Sequence, residues 1–127
     1  MGFSFPKSTK LTSEILIDKL FAEGKSTNAS GLRCVFLPVD LPAEVPFQFL
    51  FSAPKRNFKK AVDRNRIKRQ LKEVVRLHPE FLEALGGQSY AIAILFTGRR
   101  KPTYAELEKA YRQCTEKFVH SIGATKS

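Results

Sequence analysis

The sequence is short of the residues that most often build a chemical site. Among its 127 residues are two cysteines and two histidines, and 12 acidic side chains against 22 Lys and Arg. Cys34, Cys114, His78 and His120 are too widely separated for a zinc-ligand spacing. Cys34 falls in a strand-like apolar run and Cys114 in a helical apolar stripe. Both are therefore predicted to be buried small hydrophobes without a disulfide. The carboxylates do not cluster as two-metal hydrolysis requires, and no His/Lys pair is placed for acid–base work, so no catalytic residue is assigned. No apolar run approaches the roughly 20 residues of a transmembrane helix. Lys7 and Lys10 precede no apolar stretch of the kind a secretory signal needs. The expectation is one soluble, cytoplasmic domain over residues 1–127, with no metal or cofactor bound by the protein.

What the chain does have is concentrated positive charge. Lys55 to Arg76 holds ten Lys and Arg against Asp63 and Glu73, leaving +8 of the chain's +10. Inside this stretch Ile67, Leu71, Val74 and Val75 recur at helical spacing. Asp63 precedes the apolar pattern, where a carboxylate suits an N-cap, and His78-Pro79 closes it. Opposite the apolar face, Asn65, Arg69, Lys72 and Arg76 form a stripe. Arg66 and Lys68 flank it, and Arg64 lies nearer the buried edge. A merely solvated helix usually mixes charges at pairing distance. Here one sign dominates, and the RNRIKR run favours Arg, whose planar fork fits phosphate oxygens. The stretch reads as a polyanion-binding helix; charge alone leaves RNA, DNA and lipid open.

The remaining chain supplies a frame. A helix from Thr12 or Ser13 to Gly24 carries Ile17, Leu20 and Phe21 on one side, with Gly24 suited to a C′ position. Lys25–Gly31 is polar, with room for a short strand. Leu32–Val39 reads as a strand, Asp40–Pro46 as a loop, and Phe47–Ala53 as a strand with Phe47, Phe49 and Phe51 on one face. Three alternating Phe favour a core face, but they are also the pattern of a platform for stacked bases. Glu80–Leu85 predicts a short helix stopped by Gly86-Gly87. Ser89–Phe96 is continuously apolar, as in an inner strand covered on both faces. Thr97–Lys101 is a basic turn. Thr103 and Glu106 form a capping box for a last helix bearing Leu107, Ala110, Tyr111, Cys114 and Phe118, and a frayed tail follows from Gly123. The order αββαβα predicts an α+β fold, a two-layer α/β sandwich on a small mixed sheet.

Arg64-Asn65-Arg66-Ile67-Lys68-Arg69, preceded by Ser52–Val62, resembles the RNR signature of the bacterial ribonuclease P protein subunit. The order of elements around it is similar over most of the chain. The resemblance implies a fold like ribosomal protein S5 domain 2, with a left-handed strand–helix–strand crossover where right-handed is the general expectation. It implies a subunit that promotes removal of the 5′ leader from precursor tRNA, while the RNA subunit performs the scission with Mg²⁺. The implied partners are that catalytic RNA and the leader, with no membrane and a monomeric protein bound one-to-one to RNA. Implied RNA contacts are Lys55, Arg56, Lys59, Lys60, Arg64, Asn65, Arg66, Lys68, Arg69, Lys72 and Arg76. The implied leader cleft holds Ile17, Phe21, Phe36, Phe49 and Phe51.

The chain departs from the family pattern in three places. Ile17 stands where many members have an aromatic, Lys55–Lys60 lacks the common glycine-containing turn, and Lys72 replaces a frequent Arg. The main alternative is a non-catalytic, ribosomal-type RNA-binding protein. A nuclease acting without RNA would need the carboxylates that are missing, and a DNA-binding helix would need a helix-turn-helix partner.

Overall fold

The computed structural model describes residues 10–41, 47–85 and 88–123. The expected lead-in before Lys10, most of the Asp40–Pro46 loop, Gly86-Gly87 and the tail after Gly123 lie outside them. Eight elements follow in order: α1 (Glu14–Glu23), β1 (Lys25–Ala29), β2 (Leu32–Pro38), β3 (Phe47–Ser52), α2 (Ala61–Leu77), α3 (Glu80–Ala84), β4 (Tyr90–Phe96) and α4 (Tyr104–Gly123). The short strand foreseen near Ser26 is β1. The strands line up as β1-β2-β4-β3. β1 pairs antiparallel with β2 and β2 antiparallel with β4, while β3 and β4 are parallel. Adjacent parallel strands require a crossover, and α2 with α3 supplies it.

Strand alternation sends side chains to two different cores. On one face Cys34 and Phe36 of β2, Phe49 of β3, and Ile92 and Ile94 of β4 pack with the apolar stripes of α2 and α4. On the other face Leu16 and Leu20 of α1 cover Val35, Leu37, Ala91 and Ala93. The α+β sandwich thus gains a partial third layer from α1. Alanine at 91 and 93 lets that helix sit close to the sheet, which explains the small residues in an otherwise bulky strand. Both cysteines are buried and free. A hydrogen bond with Cys114, and then burial, hold the Cys34 thiol well above its usual range, as befits an inert core residue.

Caps explain where the helices begin and end. Ser13 Oγ accepts from Leu16 N at 3.3 Å at the start of α1. Gly24 ends α1, but not as the left-handed residue that its sequence position suggested. Its backbone is extended (φ −69, ψ 154). Glycine is needed there for space: a Cβ would lie 2.3 Å from Leu20 O and 2.7 Å from Val35 Cγ1. Asp63 is not the N-cap of α2 either. Lys60 occupies that position without a side-chain cap. Asp63 sits in the first turn, where the helix dipole favours a carboxylate, and pairs with Lys101 at 3.1 Å. The capping box of α4 forms as expected, with Glu106 N donating to Thr103 Oγ1 at 3.2 Å and Thr103 N to Glu106 Oε1 at 2.9 Å.

Candidate nucleic-acid interface

The loop from β3 into α2 turns on Pro54, whose carbonyl accepts from Asn57 N at 3.2 Å and Phe58 N at 3.1 Å. Phe58 is the loop's apolar anchor, 6% exposed, with its ring 5.8 Å from that of Phe96. Anchoring through Phe58 leaves Lys55, Arg56, Lys59 and Lys60 on the solvent side. This is how the chain makes a firm loop without a glycine turn. In α2, Ile67, Leu71, Val74 and Val75 are buried, as their spacing foretold. Asn65, Arg66, Arg69 and Lys72 are exposed and Lys68 is half-buried. The helix is therefore fixed by one face and presents cations from the other.

Two of the expected contact residues are committed elsewhere. Arg64 Nη1 donates to Phe58 O at 2.7 Å and to Lys59 O at 3.0 Å, so its guanidinium ties α2 to the preceding loop. Arg76 pairs with Glu73 one turn back, which holds the Glu73 carboxyl below its usual range. Both arginines are half-buried, and their charge is partly spent within the protein.

The other face of the sheet carries the second surface. α1 covers only part of it. Across the uncovered end runs one row set by strand register, Asn28–Arg33–Leu95–Ser52. Arg33, Leu95 and Ser52 are half-buried, and Arg33 Nε donates to Ser26 Oγ at 3.2 Å. Ile17, Leu50 and Leu95 pack at the border of the α1 core. Phe21, one turn beyond Ile17, is 41% exposed. Ile17, Phe21, Leu50 and Leu95 thus form a partly exposed apolar border, with the polar Arg33 and Ser52 beside it. Ile17 and Phe21 were expected there. Arg33, Leu50, Ser52 and Leu95 were not, although the alternation of β3 with the contrast between Ala91, Ala93 and the bulkier Leu95 was a usable signal.

The three strand phenylalanines assigned to the cleft lie elsewhere. Phe36 is 1% exposed and stacks on Phe118 at 4.1 Å, and Phe49 is 3% exposed. Phe51 is half-buried and stacks on Phe49 at 5.7 Å, against the same core. All three point toward α2 and α4, on the side of the sheet opposite α1. Period-two alternation puts Phe49 and Phe51 on one face, register through Ile92 brings Phe36 onto the same face, and the helices behind that face make it a core. Among the described residues no group of three or more His, Cys, Asp or Glu could hold a metal ion. No helix among them is long and apolar enough to cross a membrane.

Residues 5–119 match the pattern that defines the family described as Ribonuclease P. The ribonuclease P protein component of Chlorobium phaeobacteroides is 33% identical over 132 aligned positions, covering 94% of this chain and 88% of the relative. That of Porphyromonas gingivalis is 31% identical over 123 positions, covering 94% and 90%. In three dimensions the chain is similar to the Staphylococcus aureus RNase P protein, with a TM-score of 0.69 at 16% identity over 87% of this chain and 94% of that one. It is also similar to the Thermotoga maritima RNase P protein, with a TM-score of 0.61 at 15% identity over 82% and 92%. A mixed sheet backing a cationic helix, in a chain with these relatives, defines an RNA-partnered subunit of a ribonucleoprotein enzyme. The chain belongs to the ribonuclease P protein family and is a component of the endoribonuclease that matures the 5′ ends of tRNA.

Proposed function

We propose that the two surfaces divide the binding work. The exposed face of α2 and the β3–α2 loop bind the catalytic RNA through Lys55, Arg56, Lys59, Lys60, Asn65, Arg66, Lys68, Arg69 and Lys72. The cleft between α1 and the open end of the sheet takes the single-stranded 5′ leader of precursor tRNA. Scission belongs to the RNA with Mg²⁺, and one protein monomer serves one RNA in the cytoplasm. The carrying observation is the chemical contrast across a single sheet. One side presents a row of exposed cations on a firmly packed helix, and the other a partly exposed aromatic and aliphatic border that includes Phe21. Phosphate neutralisation releases counterions and is indifferent to sequence, which suits docking on a large folded RNA. A stacking surface suits unpaired bases.

The test is the affinity of the reconstituted ribonucleoprotein for precursor tRNA relative to mature tRNA. Phe21→Ala is expected to narrow that ratio while leaving affinity for the catalytic RNA unchanged. An unaltered ratio with Phe21→Ala would return the α1 flank to a purely structural role.

A further inference from the structure

We propose that the groove between α3 and the C-terminal half of α4 binds a single nucleotide, with the base on an aromatic floor and the phosphate on Arg112. None of the residues that line this groove belongs to the RNR stretch or to the α1 border, so it is a third surface, separate from the two above.

Helical spacing builds one wall. On α4, Tyr111, Thr115 and Val119 follow one another at i, i+4 and i+8, and Arg112, Glu116 and His120 repeat that spacing one position on. α3 supplies Glu80 and Phe81, and the end of α2 supplies His78. The groove has a volume of about 500 Å³, within the range of small-molecule sites. Contacts already in place hold its shape. His78 lies 2.8 Å from Val74 O through Nδ1 and 2.9 Å from Glu108 Oε2 through Nε2, which ties the end of α2 to α4. The Phe81 ring meets Tyr111 edge-on at 6.3 Å and Phe118 at 6.2 Å.

Two features of the groove are unspent. Tyr111 is 3% exposed, and among the described residues its buried hydroxyl has no hydrogen-bond partner. Buried hydroxyls ordinarily have one. Thr115 beside it is different, since its Oγ1 donates to Tyr111 O at 2.9 Å within the helix. Burial pushes the Tyr111 phenol above its usual range, so it remains a donor at neutral pH. At the rim, Glu80, Arg112, Glu116 and His120 are exposed, and among the described residues their side chains have no hydrogen-bond or ion-pair partner. A nucleotide matches this set. Its base is a flat body for the floor of Phe81, Tyr111 and Val119, and carries a ring nitrogen or carbonyl for the Tyr111 hydroxyl. A carboxylate accepts from an exocyclic amine, and a guanidinium forks onto phosphate. The chain's net charge of +10 draws an anion and disfavours a polyamine, the other class that two carboxylates suit.

The nucleotide is either free or an unpaired residue of a bound RNA, and two arms separate these sources. In the first, AMP is titrated into the full-length protein and followed by backbone amide shifts. Shifts are expected at Phe81, Tyr111 and Val119. Adenosine and UMP should bind several-fold more weakly, because one lacks the phosphate and the other the exocyclic amine. The second arm measures affinity for a short single-stranded RNA and for ribonuclease P RNA. Tyr111→Phe keeps the ring and removes the hydroxyl; Arg112→Ala removes the phosphate ligand. Each is expected to weaken binding several-fold. A loss in the second arm assigns the groove to a nucleotide of RNA, and a loss confined to AMP assigns it to the free nucleotide. Thermal unfolding verifies that each variant is folded, and the exposed Arg112 keeps the test decisive should Tyr111→Phe unfold. AMP shifts confined to α2 and the β3–α2 loop, or wild-type binding by the folded variants in both arms, would overturn the proposal. Either result would leave the RNA-binding reading of α2 standing.

Discussion

Arg64 donates a hydrogen bond to the carbonyl oxygen of Phe58 at 2.7 Å, six residues back along the chain. The first arginine of the RNR run therefore shapes the protein before it meets any RNA. It fixes the loop that displays Lys59 and Lys60 against the start of the helix that displays Arg66 and Arg69. Arg64→Ala is expected to lose about 1.5–3 kcal/mol of stability, the range for hydrogen bonds to a charged donor. Arg66→Ala should stay within about 0.5 kcal/mol, as exposed substitutions usually do. Urea denaturation measures both, and equal stability of the two variants would mean that the clamp contributes nothing.

The proposed role of the exposed cations is phosphate neutralisation, which predicts a salt signature when they are lost. Arg66→Ala and Arg69→Ala should each weaken binding to the catalytic RNA and lower the salt slope by about 0.7–0.9. Titrations at several salt concentrations read this directly. A drop in affinity with an unchanged slope would point to a contact other than phosphate.

Phe36 and Phe21 differ in what holds them. Phe36 stacks on Phe118 inside the α2–α4 core, whereas Phe21 stands at the rim of α1. Phe36→Ala is expected to cost about 3–5 kcal/mol. Phe21→Ala should cost far less, because an exposed ring gains little from burial. Denaturant midpoints of the two variants separate core from cleft.

Gly24 makes a third point of contrast. Its Cβ position falls 2.3 Å from a backbone carbonyl, which cannot swing aside as a side chain can. Gly24→Ala is expected to destabilise by about 1–3 kcal/mol through overpacking, although alanine tolerates the extended backbone there. A neutral substitution would mean that α1 shifts freely on the sheet.

Glu106 carries the pH dependence of the α4 cap. The Thr103 backbone N–H, and then the Arg100 charge, hold its carboxyl below the usual range. A carboxyl with a lowered folded pKa stabilises the fold above its unfolded value of about 4.3, and that stability is lost as pH falls through the folded value. Glu106→Gln should therefore melt below the wild type at neutral pH. The gap should close in strong acid, and a gap independent of pH would assign the effect to packing.

Much of this structure is legible in the sequence because the relevant patterns are local. The α2 stripe, the capping box at Thr103 and the strand alternation at Phe47–Ser52 each depend on residues a few positions apart. The direction in which that strand turns its phenylalanines is not local. It depends on α2 and α4 returning to the same side of the sheet, and so Phe49 and Phe51, with Phe36 of β2 in register beside them, face the core. The Arg64 clamp was hidden for a similar reason: a charged side chain near a helix start looks the same whether it faces solvent or a carbonyl. Gly24 and Asp63 were misread because chain spacing suggests a cap, whereas the tertiary neighbours decide what the residue does there. Leu50 and Leu95 left a trace in the strand pattern, but only register shows that they border the α1 core.

The most direct measurement is precursor-tRNA cleavage at low Mg²⁺ by bacterial ribonuclease P RNA alone, by the protein alone, and by both together. Efficient 5′ maturation only in the mixture is the expected result for a subunit that binds and positions RNA. Cleavage by the protein alone, or equal cleavage by the RNA with and without it, would contradict that role.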